Sequence, residues 1–152
     1  MYAIVDIETT GSHPDKNGIT EIAIVLHNGN EIEERYETLI NPGYAIPSYI
    51  SYLTGITNEA VSTAPDFSEV ALPIFNLLRN RIFIAHNVNF DYTFIRHHLM
   101  ENGYHWLPKK LCTLKLSRKA FPGLQKYGLG HLCKVFNIPV INRHRAVGYA
   151  DA

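Results

Sequence analysis

Apolar and polar positions divide the chain into strand-like runs near its start and mostly helix-like stretches after them. Tyr2-Ala3-Ile4-Val5 is apolar and β-branched and reads as a buried strand. Residues 19–26 alternate loosely and read as a second strand. Asn28-Gly29-Asn30 is a hairpin signal, and residues 31–40 continue as a third strand. There Ile32 alternates with Glu31 and Glu33, which gives that strand one wet face; Asn41-Pro42-Gly43 closes it. Residues 44–65 are irregular, with short helical pieces around 48–53 and 58–61. Residues 67–78 have a helical period, and Pro73 inside them predicts a kink or a late start.

Residues 81–86 form a short buried strand. Asn89 is placed to cap a helix running to about residue 102, ended by Gly103, with Phe90, Phe94, Ile95 and Leu99 as its apolar stripe. Residues 111–113 make a weak strand, followed by helices over 114–120 and 129–136. A meander of strands followed by strands alternating with helices describes an α/β fold, a mixed sheet with helices packed on it.

Composition narrows the class. At 152 residues, 46% apolar and 18% charged, the chain suits one soluble globular domain, residues 1–152, rather than a disordered segment. No run approaches the roughly 18 apolar residues of a membrane span. Asp6 and Glu8 interrupt what would otherwise be a leader. Two cysteines, Cys112 and Cys133, make neither a disulfide framework nor a four-ligand zinc site, so a reducing, cytoplasmic setting is expected. The zero net charge hides an asymmetry. Residues 1–76 carry eleven acidic side chains against Lys16 and Arg35, and residues 77–152 carry twelve basic ones against Asp91, Glu101 and Asp151. A basic half can follow a phosphate backbone while acidic residues hold metal, or the halves can simply neutralise one another in the fold.

The densest chemistry is Asp6-Ile7-Glu8-Thr9-Thr10-Gly11. Side chains two apart on a strand share a face, so Asp6 and Glu8 emerge together. Such a pair repels unless a cation sits between them or one takes up a proton. Thr9, Thr10 and Gly11 form a turn whose hydroxyls, amides and close backbone suit a ligand, or simply let the strand exit. In His86-Asn87-Val88-Asn89-Phe90-Asp91 a third carboxylate lies in the first turn of a helix, where the helix dipole favours it in any case. His86 reads as a hydrogen-bonded structural histidine. Arg143-His144-Arg145-Ala146 offers a titratable imidazole between two cations, and Asp151 a fourth carboxylate.

These blocks, in this order, resemble the DEDDh (DnaQ-like) 3′–5′ exonucleases, the family of the proofreading epsilon subunit of bacterial DNA polymerase III. Asp6 and Glu8 match its first motif, Asp91 in His-Asn-x-x-Phe-Asp its second, and His144 in His-Arg-Ala the start of its third. Ile46-Pro47 and Leu53-Thr54-Gly55-Ile56-Thr57 resemble its nucleotide-contacting segment. The resemblance implies a ribonuclease-H-like, five-stranded mixed sheet flanked by helices. It implies two Mg²⁺ or Mn²⁺ ions held by Asp6, Glu8, Asp91 and Asp151, with His144 as general base. It also implies release of nucleoside monophosphates from DNA 3′ ends, single-stranded or frayed, in proofreading or repair. Thr9, Thr10, Gly11, Leu53 and Phe90 would grip the terminal nucleotide, although helix packing is the alternative for Phe90. A DNA polymerase or a further domain is the implied partner. RNA or oligonucleotide cleavage, or a non-catalytic nucleic-acid-binding module associated with a polymerase, are the alternatives.

One spacing departs from the pattern. The family places its last aspartate five residues after the histidine, whereas Asp151 follows His144 by seven, and removing Tyr149-Ala150 restores the spacing. On a helix two extra residues swing a side chain by about 200°. A two-residue insertion, a truncation and a junction of non-adjacent pieces each account for this. The expectation is a domain whose closing C-terminal helix is incomplete, leaving part of the sheet without apolar cover.

Overall fold

The computed structural model describes residues 1–140 and 145–152. Its first three strands, β1 (Tyr2–Thr9), β2 (Ile19–His27) and β3 (Ile32–Leu39), form the antiparallel meander that the hairpin signal implies. Short helices α1 (Ser48–Thr54) and α2 (Asn58–Val61) lead into α3 (Phe67–Leu78). Strand β4 (Ile82–Ala85) then pairs parallel to β1, and after α4 (Asn89–Glu101) strand β5 (Lys110–Cys112) pairs parallel to β4. Helices α5 (Thr113–Ala120), α6 (Leu129–Val135) and α7 (Ala146–Ala150) complete the described residues. The result is one mixed sheet in the order β3-β2-β1-β4-β5, flanked by helices.

Alternation along β1 assigns its two faces. Ala3, Val5 and Ile7 join Ile22, Ile24 and Leu26 of β2 in a core with Ile74 and Leu78 of α3 and Phe94, Ile95 and Leu99 of α4. On the other face Ile4 packs with Ala23, Val25, Ala146 and Ala150, so that α7 meets the sheet through Ala146 and Ala150. Beside α7 this face carries a cleft of about 380 Å³, lined by Ile4, Ile84, Leu116, Leu132 and Phe136 and reaching Asp6.

Two local expectations change. Pro73 does not delay α3, which begins at Phe67 behind a reciprocal capping box between Asp66 and Glu69. Asn89 does not cap α4. It is the first helical residue, the cap position is Val88 without a side-chain bond, and the turn before it is made by Asn87 in a left-handed conformation at φ 67°. The apolar stripe of α4 is as expected, with Phe94, Ile95 and Leu99 buried and Phe90 half-buried against Phe94 at 5.2 Å between rings.

Candidate active site

The site forms where β1 ends beside the start of α4. A bulge after Glu8 ends the regular β1–β2 pairing, so that Glu8 faces Glu21 while Thr9 already faces Ile19. The chain then enters a turn that is tied internally. The Thr10 amide donates to the Gly18 carbonyl at 3.0 Å, and the Thr10 hydroxyl donates to Asn17 Oδ1 and accepts from the Gly18 amide, both at 3.1 Å. Thr9 donates its hydroxyl to the Gly11 carbonyl at 2.6 Å. A Cβ at Gly11 would lie 2.3 Å from Asn17 Oδ1, so a larger residue there would displace the side chain that Thr10 holds. Thr9, Thr10 and Gly11 thus build the turn that shapes the end of β1.

Asp6 and Glu8 share the β1 face opposite the main core, and Asp91, 3% exposed, enters from the first turn of α4. Burial raises all three carboxyls. Asp6 is pushed up to about 9 by desolvation and then by the charges of Asp91, Glu8 and Glu21. Glu8 is pushed up to about 7 by desolvation and Glu21, with Arg145 pulling the other way. Asp91 is pushed up to about 7 by burial, against hydrogen bonds from its own backbone and that of Ile7. Asp91 is buried and Asp6 and Glu8 are half-buried; three carboxyls that resist ionising beside one another, with oxygen as their only donor, suit a hard divalent cation such as Mg²⁺ or Mn²⁺. Asp6, Glu8 and Asp91 therefore fit such an ion.

Asp151 turns to the sheet edge, where its Oδ1 accepts from Arg35 Nε on β3 at 2.8 Å. Leu53 is 53% exposed on α1, beside the more exposed Tyr49 and Tyr52. His144 lies outside the described residues. His86 is structural: its Nε2 donates to the Tyr127 carbonyl at 2.8 Å, so that Nδ1 accepts from the Thr113 hydroxyl at 3.0 Å. Among the described residues, the three potential ligand atoms that converge within 4.8 Å belong to His97, His98 and Glu101 at the far end of α4. Their contacts, 3.5 and 3.3 Å to Glu101, have the i,i+4 and i,i+3 spacing of ordinary helix pairs.

Glu21 is the residue that sequence reading missed. It is 4% exposed on β2 and binds Arg145 through both oxygens, with Arg145 Nε at 2.9 and 3.1 Å; the Ala146 amide donates to it at 2.8 Å. A signal was available, because an acidic residue inside the apolar run Ile19–His27 is seldom buried without a partner.

Residues 3–152 match the RNase_T exonuclease family. The chain belongs to this family. Among curated relatives of this exonuclease-family chain, 3′-5′ exonuclease DinG of Staphylococcus haemolyticus (strain JCSC1435) is 39% identical over 146 residues, 95% of the chain. DinG of Bacillus subtilis (strain 168) is 38% identical over 153 residues, 99% of the chain. The chain spans only 16% of the length of either relative. Among solved structures, Exonuclease X in complex with 5′ overhanging duplex DNA superposes with a TM-score of 0.79 at 27% identity, covering 99% of this chain and 86% of that one. E. coli Exonuclease I in complex with a dT13 oligonucleotide gives 0.87 at 20% identity, over 99% of this chain and 38% of that one, and shares the fold. The exonuclease family thus accounts for the five-stranded mixed sheet and its flanking helices. No helix among the described residues is long and apolar enough to cross a membrane.

Proposed function

We propose that residues 1–152 act as one metal-dependent 3′–5′ exonuclease unit that hydrolyses the terminal phosphodiester of DNA and releases nucleoside monophosphates. The observation that carries this reading is that Asp6 and Glu8 share one face at the end of β1, with buried Asp91 of α4 near enough for its charge to raise the Asp6 carboxyl. Asp6, Glu8 and Asp91 would hold two Mg²⁺ or Mn²⁺ ions. Bound there, such ions would supply activation of a water and charge stabilisation at the departing 3′ oxygen. His144 takes the proton of the attacking water; its unperturbed pKa of about 6.5 lies near working pH. The turn built by Thr9, Thr10 and Gly11 holds the end of β1 in place, and its backbone can approach the terminal nucleotide. Asp151 is left out of the ligand set because its carboxylate is engaged by Arg35.

The DNA structures of Exonuclease X and Exonuclease I support a single-stranded or frayed 3′ end as substrate. The exposed Tyr49, Tyr52 and Leu53 of α1 offer apolar and aromatic contact for bases. A DNA polymerase or a further domain would deliver that end.

The test is a gel of single-stranded and 3′-recessed DNA, with matched RNA, in Mg²⁺, Mn²⁺ or EDTA. Stepwise shortening of DNA from the 3′ end is expected, abolished by EDTA and reduced more than ~100-fold by Asp6→Ala. Metal-independent binding without shortening would replace the enzyme with a nucleic-acid-binding module. Preferential shortening of RNA would move the substrate class.

A further inference from the structure

Glu21 is buried, and a buried carboxylate costs several kcal/mol unless it is paired and hydrogen-bonded. Every partner described above for it comes from the other end of the chain, 124 and 125 residues away: the Arg145 guanidinium, gripped by both oxygens, and the Ala146 amide. Two oxygens on one guanidinium fix direction as well as distance. The Ala146 amide fixes the backbone one residue further on, at the first position of α7. The segment immediately after His144 is therefore held at two points by one side chain. That side chain stands directly across the β1–β2 pair from Glu8. The docking of α7 on the sheet does not require this clamp, because Ala146 and Ala150 already pack on Ala23 and Val25.

We propose that Glu21 is a positioning residue: by clamping Arg145 and the Ala146 amide beside Glu8, it fixes the chain immediately after His144, the base of the exonuclease reading. The proposal rests on the exonuclease reading and on His144 as its base. It makes Arg145 a second member of the same device, and the guanidinium also offsets the charge that Glu21 brings close to Glu8.

The test is a double-mutant cycle on the rate of shortening of single-stranded DNA in Mg²⁺, with Glu21→Gln, His144→Ala and the pair. Gln keeps the size of Glu and an oxygen for the Ala146 amide but loses the charged grip on Arg145. Glu21→Gln is expected to lower kcat about 10–100-fold, the range for losing the partner that orients a site residue, with KM nearly unchanged. Added to His144→Ala it should cost no more than about twofold further, because both changes remove the same contribution. Arg145→Gln, which attacks the link from its half-exposed side, should lower kcat per folded molecule to a similar extent. Equal losses from Glu21→Gln in both backgrounds overturn the positioning role and leave the base standing. A His144→Ala variant with the wild-type rate removes the base and this proposal together. A rate loss that vanishes after correction for the folded fraction, from thermal melts of each variant, or an undiminished rate in Arg145→Gln, also overturns it.

Discussion

The two faces of β1 carry opposite chemistries on alternate residues. Ala3, Val5 and Ile7 lie under α3 and α4, helices of 12 and 13 residues, in a core of large apolar side chains. Ile4, Asp6 and Glu8 lie on the other face, where α5 and α6 line an open cleft and the five-residue α7 meets the sheet through alanines. The thick side supplies most of the buried apolar area and hence most of the driving force for folding. The thin side holds carboxyls that burial and mutual repulsion disfavour, a local cost set against the stability of the first face. Strand alternation allows both on one strand, so stability and chemistry can be changed separately.

The largest effect should come from the thick side. Phe94→Ala removes a fully buried ring and is expected to cost about 3–5 kcal/mol in a urea melt, with the rate per folded molecule preserved. A rate that falls with stability held constant would mean that the two faces are coupled.

Asp6→Asn should do the reverse, abolishing metal-dependent shortening while stabilising the metal-free protein by about 1–3 kcal/mol near pH 8. The sign follows from the raised carboxyl. Folded protein holds a proton on Asp6 that the unfolded chain releases above its ordinary value of 3.8. Stability from this group is therefore fully present below that value and lost as pH rises toward about 9. Metal-free wild type should melt at lower temperature as pH climbs through this window, and Asp6→Asn should flatten the slope. Mg²⁺ replaces the proton, so the gain in melting temperature on adding Mg²⁺ should grow with pH. A gain independent of pH would separate the metal from these carboxyls.

The smallest effect is expected at Asp151. Its pair with Arg35 is largely exposed, so Asp151→Asn should cost less than ~1 kcal/mol and change the rate less than about twofold. A large loss of rate would return Asp151 to the ligand set.

Much of this arrangement is legible in the residues themselves. Hydrophobic period located the strands and helices, because burial of one face imposes period two or 3.6 whatever the partner. Motif spacing singled out Asp6, Glu8 and Asp91, since a strand end and a first helical turn are local features. The capping box of α3 was equally local, written in Asp66 and Glu69, and was overlooked. Glu21 is different. Its meaning depends on the register that sets it against Glu8 and on a chain segment more than 120 residues away.

By itself, then, the sequence determined the order of elements up to α6, the sidedness of β1 and the acidic character of its end. Those follow from short-range sterics and from which side chains avoid water. The tertiary structure alone decided that Glu21 holds the start of α7, that Asp151 pairs with Arg35 and that Thr10 spends its hydroxyl inside its own turn. Each depends on which polar group meets another once the backbone is placed. Hydrogen bonds and ion pairs act over a few ångströms in space, and periodicity carries no record of them.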